Sequence, residues 1–186
     1  MLSEADYEAA ALTLGCEVAA IRAVADVEAG GAGFKDDRPK ILFEGHIFYR
    51  YTNGHFAQQR PDLCYKVWTK KFYAHDQAGE WQRFEAAKLL DAKAAVLATS
   101  WGKFQIMGFN YKPAGFLTPD LFVAAMSAGE PEQLKAFIAF LQSTGLDKPL
   151  AAKDWAAFAK GYNGSKYADN RYDSKLAEAY RIHSAR

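Results

Sequence analysis

Cysteine is scarce in this chain, opposite charges nearly cancel, and no apolar run is long enough to cross a bilayer. Each shortage removes a class of protein. The two cysteines, Cys16 and Cys64, make no disulfide framework and match no metal spacing. They read as buried or idle thiols of a chain made in a reducing compartment. His46, His55, His75 and His183 lie in no ligand pattern either, so neither a metal nor a cofactor is expected. A net charge of +1 gives nucleic acid no global attraction, and none is expected as a partner. The opening residues, Met1 to Asp6, are acidic and lack the basic and apolar regions of an export signal, which points to a cytosolic product.

What remains is rich in greasy and aromatic residues. Half of the 186 residues are hydrophobic and 15% are aromatic, enough for one well-packed domain over residues 1–186 and too little for two ordinary ones. A monomer is expected. The charge is uneven: Gln133 to Arg186 carries nine Lys/Arg and five Asp/Glu, a net +4, and the first 132 residues carry −3. A basic C-terminal third suits an anionic surface such as an outer membrane, or is a solvated face. The stripe Leu134, Phe137, Ile138 and Leu141, beside Lys135, reads either as core or as an amphipathic membrane contact.

Local signals are mostly helical. Ser3 and Asp6 form a capping-box pattern and Gly15 a stop, predicting a first helix; Glu17–Ala29 predicts a second. Pro39–Glu44 reads as a short strand, His46–Tyr51 as strand or helix, and 52–79 as loop. A long helix is expected over Glu80–Ala98. Thr118-Pro119-Asp120 starts a helix that Gly129 ends, and Gly145 closes the next. Lys153–Lys160 and Tyr167–Ser184 complete the pattern. The expected fold class is mainly α, with a small β excursion.

One residue sits against this pattern. Val18, Ile21, Val24 and Ala25 recur at helical spacing, and at roughly 100° per residue Glu28 falls within their stripe. A carboxylate on a buried face, in the last turn where the helix dipole is negative, favours its protonated form. Gly30, Gly31 and Gly33 follow at once and open that end to a ligand. A proton held near neutral pH is what a general acid requires. A helix-end glutamate reaching solvent past the glycines is the plainer alternative.

Two more patches share this mixture of glycine with amide and aromatic side chains: Ser100-Trp101-Gly102-Lys103-Phe104-Gln105-Ile106-Met107-Gly108 and Phe158-Ala159-Lys160-Gly161-Tyr162-Asn163-Gly164. Such residues stack on sugars and bond their hydroxyl and acetamido groups, although aromatics there are also ordinary core. In order and spacing the three patches resemble the lysozyme-like superfamily, in which a Glu ending a helix, a Ser-x-Gly-x-x-Gln-Ile turn and an Ala-x-x-Tyr-Asn-Gly turn line one cleft. With Pro39-Lys40-Ile41-Leu42-Phe43-Glu44-Gly45-His46 added, the chain is similar to the N-acetylmuramidase family of phage endolysins, nearly end to end. Ala29 departs from the superfamily, where a serine commonly follows the catalytic Glu.

The resemblance implies a lysozyme-like α+β fold and hydrolysis of the β-1,4 bond between N-acetylmuramic acid and N-acetylglucosamine in peptidoglycan. It makes Glu28 the acid, and Ser100, Gln105, Tyr162, Asn163 and His46 substrate contacts. Glu44, Asp36 and Asp37 are candidates for a second carboxylate, Glu44 first because it stands in the Phe-Glu-x-His patch. A Glu–His brace of the strand is the alternative for Glu44. The implied location is the host bacterial cytoplasm until a separate membrane pore gives access to the wall. A lytic transglycosylase forming 1,6-anhydro ends, and a non-catalytic wall-binding or virion module, are the competing readings.

Overall fold

The structure, a computed structural model, describes residues 1–165 and 167–185. Helix α1, Glu4–Leu14, begins with the capping box: Ser3 Oγ accepts from the Asp6 N–H at 3.2 Å and the Asp6 carboxylate accepts from the Ser3 N–H at 2.8 Å. Helix α2, Val18–Ala29, turns Ile21, Val24 and Ala25 fully inward. A two-stranded antiparallel ribbon follows, β1 (Phe34–Lys35) and β2 (Arg38–Pro39). Its tip is Asp36-Asp37, both left-handed at φ 50° and 59°, as the mirror-image hairpin turns require.

Strand β3, Ile41–Phe43, leads into helix α3, Gly45–Tyr51, which settles His46–Tyr51 as helix. The expected single helix over Glu80–Ala98 is instead two, α4 (Gln77–Leu90) and α5 (Ala92–Leu97). Asp91 between them is extended, and its side chain caps α5 by accepting from the Ala94 N–H at 2.9 Å. An aspartate gains more at a helix start than inside one, which overrides the alanine-rich propensity around it.

Strands β4 (Thr99–Trp101) and β5 (Ile106–Met107) complete an antiparallel sheet in the order β3-β4-β5, with Ile41 opposite Trp101 and Ser100 opposite Met107. Strands this short carry no readable alternation. Helix α6, Pro119–Ala128, takes its cap from Thr118, and α7, Glu130–Thr144, ends at Gly145. The short α8, Asp147–Ala151, was not expected; α9 runs Trp155–Asn163. The last expected helix begins later than Tyr167. A 3₁₀ turn covers Tyr167–Asn170, Arg171 is left-handed at φ 55°, and α10 then runs Tyr172–Ser184 along α2.

The described residues share one apolar cluster. Phe104 stacks on Phe137 at 4.1 Å, and Trp101 meets Trp81 and Phe84 edge-on. Leu134, Phe137 and Leu141 are buried in that cluster, so the stripe on α7 is core and not a membrane face. No helix among the described residues is long and apolar enough to cross a membrane. Cys16 and Cys64 are both free thiols.

Candidate active site

The end of α2 is built by its own glycines and by two distant lysines. Gly30 is left-handed at φ 61°, a conformation that costs a residue with a Cβ. Its N–H bonds the Asp26 carbonyl at 2.9 Å, and the Gly31 N–H bonds that of Ala25 at 3.1 Å, closing the helix. Lys40 Nζ donates to the Ala29 carbonyl at 2.6 Å, and Lys103 Nζ donates to that of Gly31. The exposed carbonyls of a helix C-terminus are thereby satisfied by cations, as the dipole favours.

Glu28 projects from this last turn into a groove of about 420 Å³, whose wall also includes Lys40, Ile41, Tyr73, Gln77 and Gln105. The side chain is half-buried and lies on the groove wall, where the surrounding protein desolvates its carboxyl group. Burial raises its pKa from the ordinary 4.5 to about 7, against the lowering effects of the Asn163 hydrogen bond and the Lys175 charge. Asn163 Nδ2 donates to Glu28 Oε1 at 2.9 Å, while the buried Asn163 Oδ1 has no partner among the described residues. An acid that still holds its proton near neutrality therefore faces an open groove.

Gln105 lies opposite, itself left-handed at φ 48°. Its Oε1 accepts from Ser100 Oγ at 2.8 Å, and its Nε2 donates to the Gly102 carbonyl at 2.8 Å and to that of Lys40 at 3.3 Å. Ser100 and Gln105 thus hold the turn between β4 and β5 in shape; Gln105 lines the groove, whereas Ser100 is buried behind it and is not on its wall. Gly102 has φ 75°, and a Cβ there would come within 2.6 Å of the Gln133 carboxamide.

Tyr162 lies behind the acid and not on the groove wall. Its hydroxyl donates to the Phe104 carbonyl at 2.6 Å and its ring stacks on Phe158 at 5.3 Å. Burial, then the Glu28 charge, keeps it from ionising in the ordinary range.

Glu44 precedes α3 without capping it, and lies behind Tyr73, off the groove wall. Tyr73 Oη stands 2.8 and 2.7 Å from the two Glu44 oxygens and donates to the carboxylate, and Trp68 Nε1 donates to Tyr73 Oη at 3.2 Å. Burial, then the Glu44 charge, lifts the Tyr73 hydroxyl far above its usual range, so it remains a donor. His46 Nδ1 is 3.2 Å from Glu44 Oε2, but its geometry makes no hydrogen bond. Tyr172, on the first turn of α10, lies within electrostatic reach of both Glu28 and Glu44; burial first and those charges second raise it to about 12. Asp36 and Asp37 are exposed at the ribbon tip and do not line the groove.

Of the residues expected at the site, the structure brings Glu28, Gln105 and Asn163 together, and it adds Tyr73 on the groove wall and Tyr172 within electrostatic reach of Glu28. Tyr73 lies in a loop with no periodic pattern, and Tyr172 stands in the first turn of a helix with nothing in its neighbours to mark it. Among the described residues no group of His, Cys, Asp or Glu is arranged to hold a metal ion.

A desolvated glutamic acid ending a helix, sharing a groove with a Gln in the turn of a small antiparallel sheet, defines a lysozyme-like glycan-cleaving fold. The profile of the N-acetylmuramidase family matches residues 17–184. The crystal structure of the Burkholderia AP3 phage endolysin superposes with a TM-score of 0.84 at 42% identity, covering 100% of this chain and 72% of that one. A search of curated proteins found no match. The chain belongs to the N-acetylmuramidase family, and its class of activity is peptidoglycan hydrolysis.

Proposed function

We propose that the protein is a lysozyme that cuts the β-1,4 bond between N-acetylmuramic acid and N-acetylglucosamine, with Glu28 as the general acid. The observation that carries this reading is the buried Glu28 carboxyl, raised to about 7 and facing the groove. Its proton passes to the glycosidic oxygen as the C–O bond breaks and the sugar becomes oxocarbenium-like. Asn163 orients the carboxyl through Oε1. Its unpartnered Oδ1 suits a donor such as an acetamido N–H or a water.

Glu44 is assigned the second role, a fixed negative charge that stabilises the positive sugar. Tyr73 holds both of its oxygens, and Tyr73 is itself part of the groove wall. Gln105 presents the β4–β5 turn to the sugars with Ser100 holding it in place, Tyr162 secures the backbone behind the groove at Phe104, and His46 stands beside Glu44 on α3. A second carboxylate favours hydrolysis over a transglycosylase, which has Glu28 alone serve as acid and then base.

Digestion of purified peptidoglycan followed by mass spectrometry tests the assignment. Reducing-end muramic acid is the expected product. Reducing-end glucosamine would reject the bond assignment, 1,6-anhydro ends would replace hydrolysis with transglycosylation, and uncut sacculi would leave a wall-binding module. Glu28→Gln is expected to slow cutting by about 10²- to 10⁴-fold while leaving the protein folded by circular dichroism. Undiminished clearing by that variant would remove Glu28 from its role.

A further inference from the structure

A second concavity, about 510 Å³ and larger than the groove at Glu28, lies between the end of α2 and α10. Its wall holds Asp26 and Val27 from α2, and Arg171, Ser174, Lys175 and Glu178 among others from α10. Consecutive residues of one helix turn thus face two different spaces: Asp26 and Val27 this one, Glu28 and Ala29 the groove. The two spaces are electrostatically continuous, since the Lys175 charge is felt at the Glu28 carboxyl.

The two acidic side chains of this concavity are already engaged by neighbours. Asp26 is engaged by His183 at 2.6 Å, and Glu178 by Arg181 at 2.7 Å. Arg171 and Lys175 have no carboxylate partner among the described residues; Lys175 only lies over the Tyr172 ring at 5.4 Å. Arg171 is exposed, and its backbone is held left-handed where the 3₁₀ turn meets α10. A cleft with two unpaired cations, a serine hydroxyl and an apolar floor of Val27, Ala179 and Ile182 suits a short acidic peptide.

We propose that this concavity binds the acidic stem peptide of the N-acetylmuramic acid held at Glu28, with Arg171 and Lys175 receiving its free carboxylates. The inference rests on the muramidase reading above, because only a muramic sugar carries a stem. The path half-way round an α-helix about 10 Å across is about 16 Å, which about five extended residues span. Binding energy from this remote part of the substrate would then be available at the bond being cut.

Two substrates test it: intact sacculi, and the same sacculi with the stem carboxylates converted to amides. The parent protein is expected to prefer the carboxylate form by about tenfold in kcat/KM, the scale of one or two charge-assisted hydrogen bonds. Arg171→Gln should lose most of that preference and Arg171→Glu should invert it, while amidated sacculi are cut at similar rates by all three. Melting by circular dichroism confirms that the variants fold. Equal rates on both sacculi by the parent, or an equal loss on both in the variants, would overturn the stem site and leave the muramidase reading standing. Failure of the parent to cut either would instead defeat that reading.

Discussion

Glu28 and Glu130 are both enclosed glutamates near the ends of helices, and they are opposites in what surrounds them. Glu28 sits in the last turn of α2, where the dipole disfavours charge, and receives one hydrogen bond from an uncharged amide. Glu130 opens α7, where the dipole favours charge, and is only 5% exposed. It accepts from the Gly33 N–H at 2.8 Å and the Leu2 N–H at 3.0 Å, and pairs with Lys103 at 3.4 Å. Burial pushes the Glu130 carboxyl up, but those donors and the Lys103 charge outweigh it and leave its pKa lowered. Glu28 has no comparable compensation and is raised to about 7. Enclosure alone therefore predicts neither role; the number and charge of the donors decide between a proton source and a structural ion pair.

The two sites are also coupled. Lys103 binds Glu130 and also the carbonyl of Gly31, and Glu130 holds Gly33, so the ion pair anchors the glycine loop that follows the acid. One carboxylate is kept ionised to secure the backbone beside the one kept protonated.

The sharpest break in this comparison is Glu28→Gln, which should cost about 10²- to 10⁴-fold in kcat, the usual worth of a positioned acid, measured by release of soluble muropeptides. Glu130→Ala should instead destabilise the fold by about 3–5 kcal/mol, because it leaves Lys103 buried without its carboxylate; a lowered denaturant midpoint reads this. An unchanged midpoint would show that the pair is replaceable.

Their pH dependences should have opposite signs. Between the ordinary 4.5 and about 7 the native state binds a proton at Glu28 that the unfolded chain has released, so this group's stability contribution falls as pH rises through that window. Glu28→Gln should then be more stable than the parent at pH 8, by up to about 3 kcal/mol, with the difference vanishing towards pH 4. Glu130, depressed when folded, contributes above the unfolded value and loses that contribution as pH falls through its folded pKa. Parallel stability curves for parent and Glu28→Gln between pH 4 and 8 would refute the assignment of a buried neutral acid. Activity should decline as pH rises through about 7, where Glu28 loses its proton.

Smaller effects refine the site. Tyr73→Phe removes the donor to Glu44 and should lower kcat about tenfold, the worth of a hydrogen bond to a charged group, with little change in KM. Asn163→Ala removes a contact that lowers the Glu28 pKa, so the alkaline limb of the activity profile should move to higher pH. Movement in the other direction would contradict the hydrogen bond as drawn.

Much of the frame was legible because it is set locally. Caps at Ser3 and Thr118, stops at Gly15 and Gly145, and the stripe that turned Glu28 inward all depend on residues within a turn or two of one another. The misreadings share a cause of the opposite kind. Asp91 divided an alanine-rich run by capping the helix after it, and Arg171 delayed α10, because backbone conformations at single residues outweighed the propensity of their neighbours. Strand β4 forms through its pairing with β3, which lies far away in sequence, and β5 pairs in turn with β4.

The site divides in the same way. Periodicity placed Glu28 on an apolar face and the glycines placed an opening beside it, since a helix of 3.6 residues per turn leaves little freedom in which side chains share a face. Whether that carboxyl would be neutral was not a local matter. It depended on the enclosure that the folded chain builds around the carboxyl, which raises its pKa against the opposing Asn163 hydrogen bond and Lys175 charge brought from the last two helices. Electrostatic energies are set by distance and enclosure in space, and only the folded chain brings those groups within range.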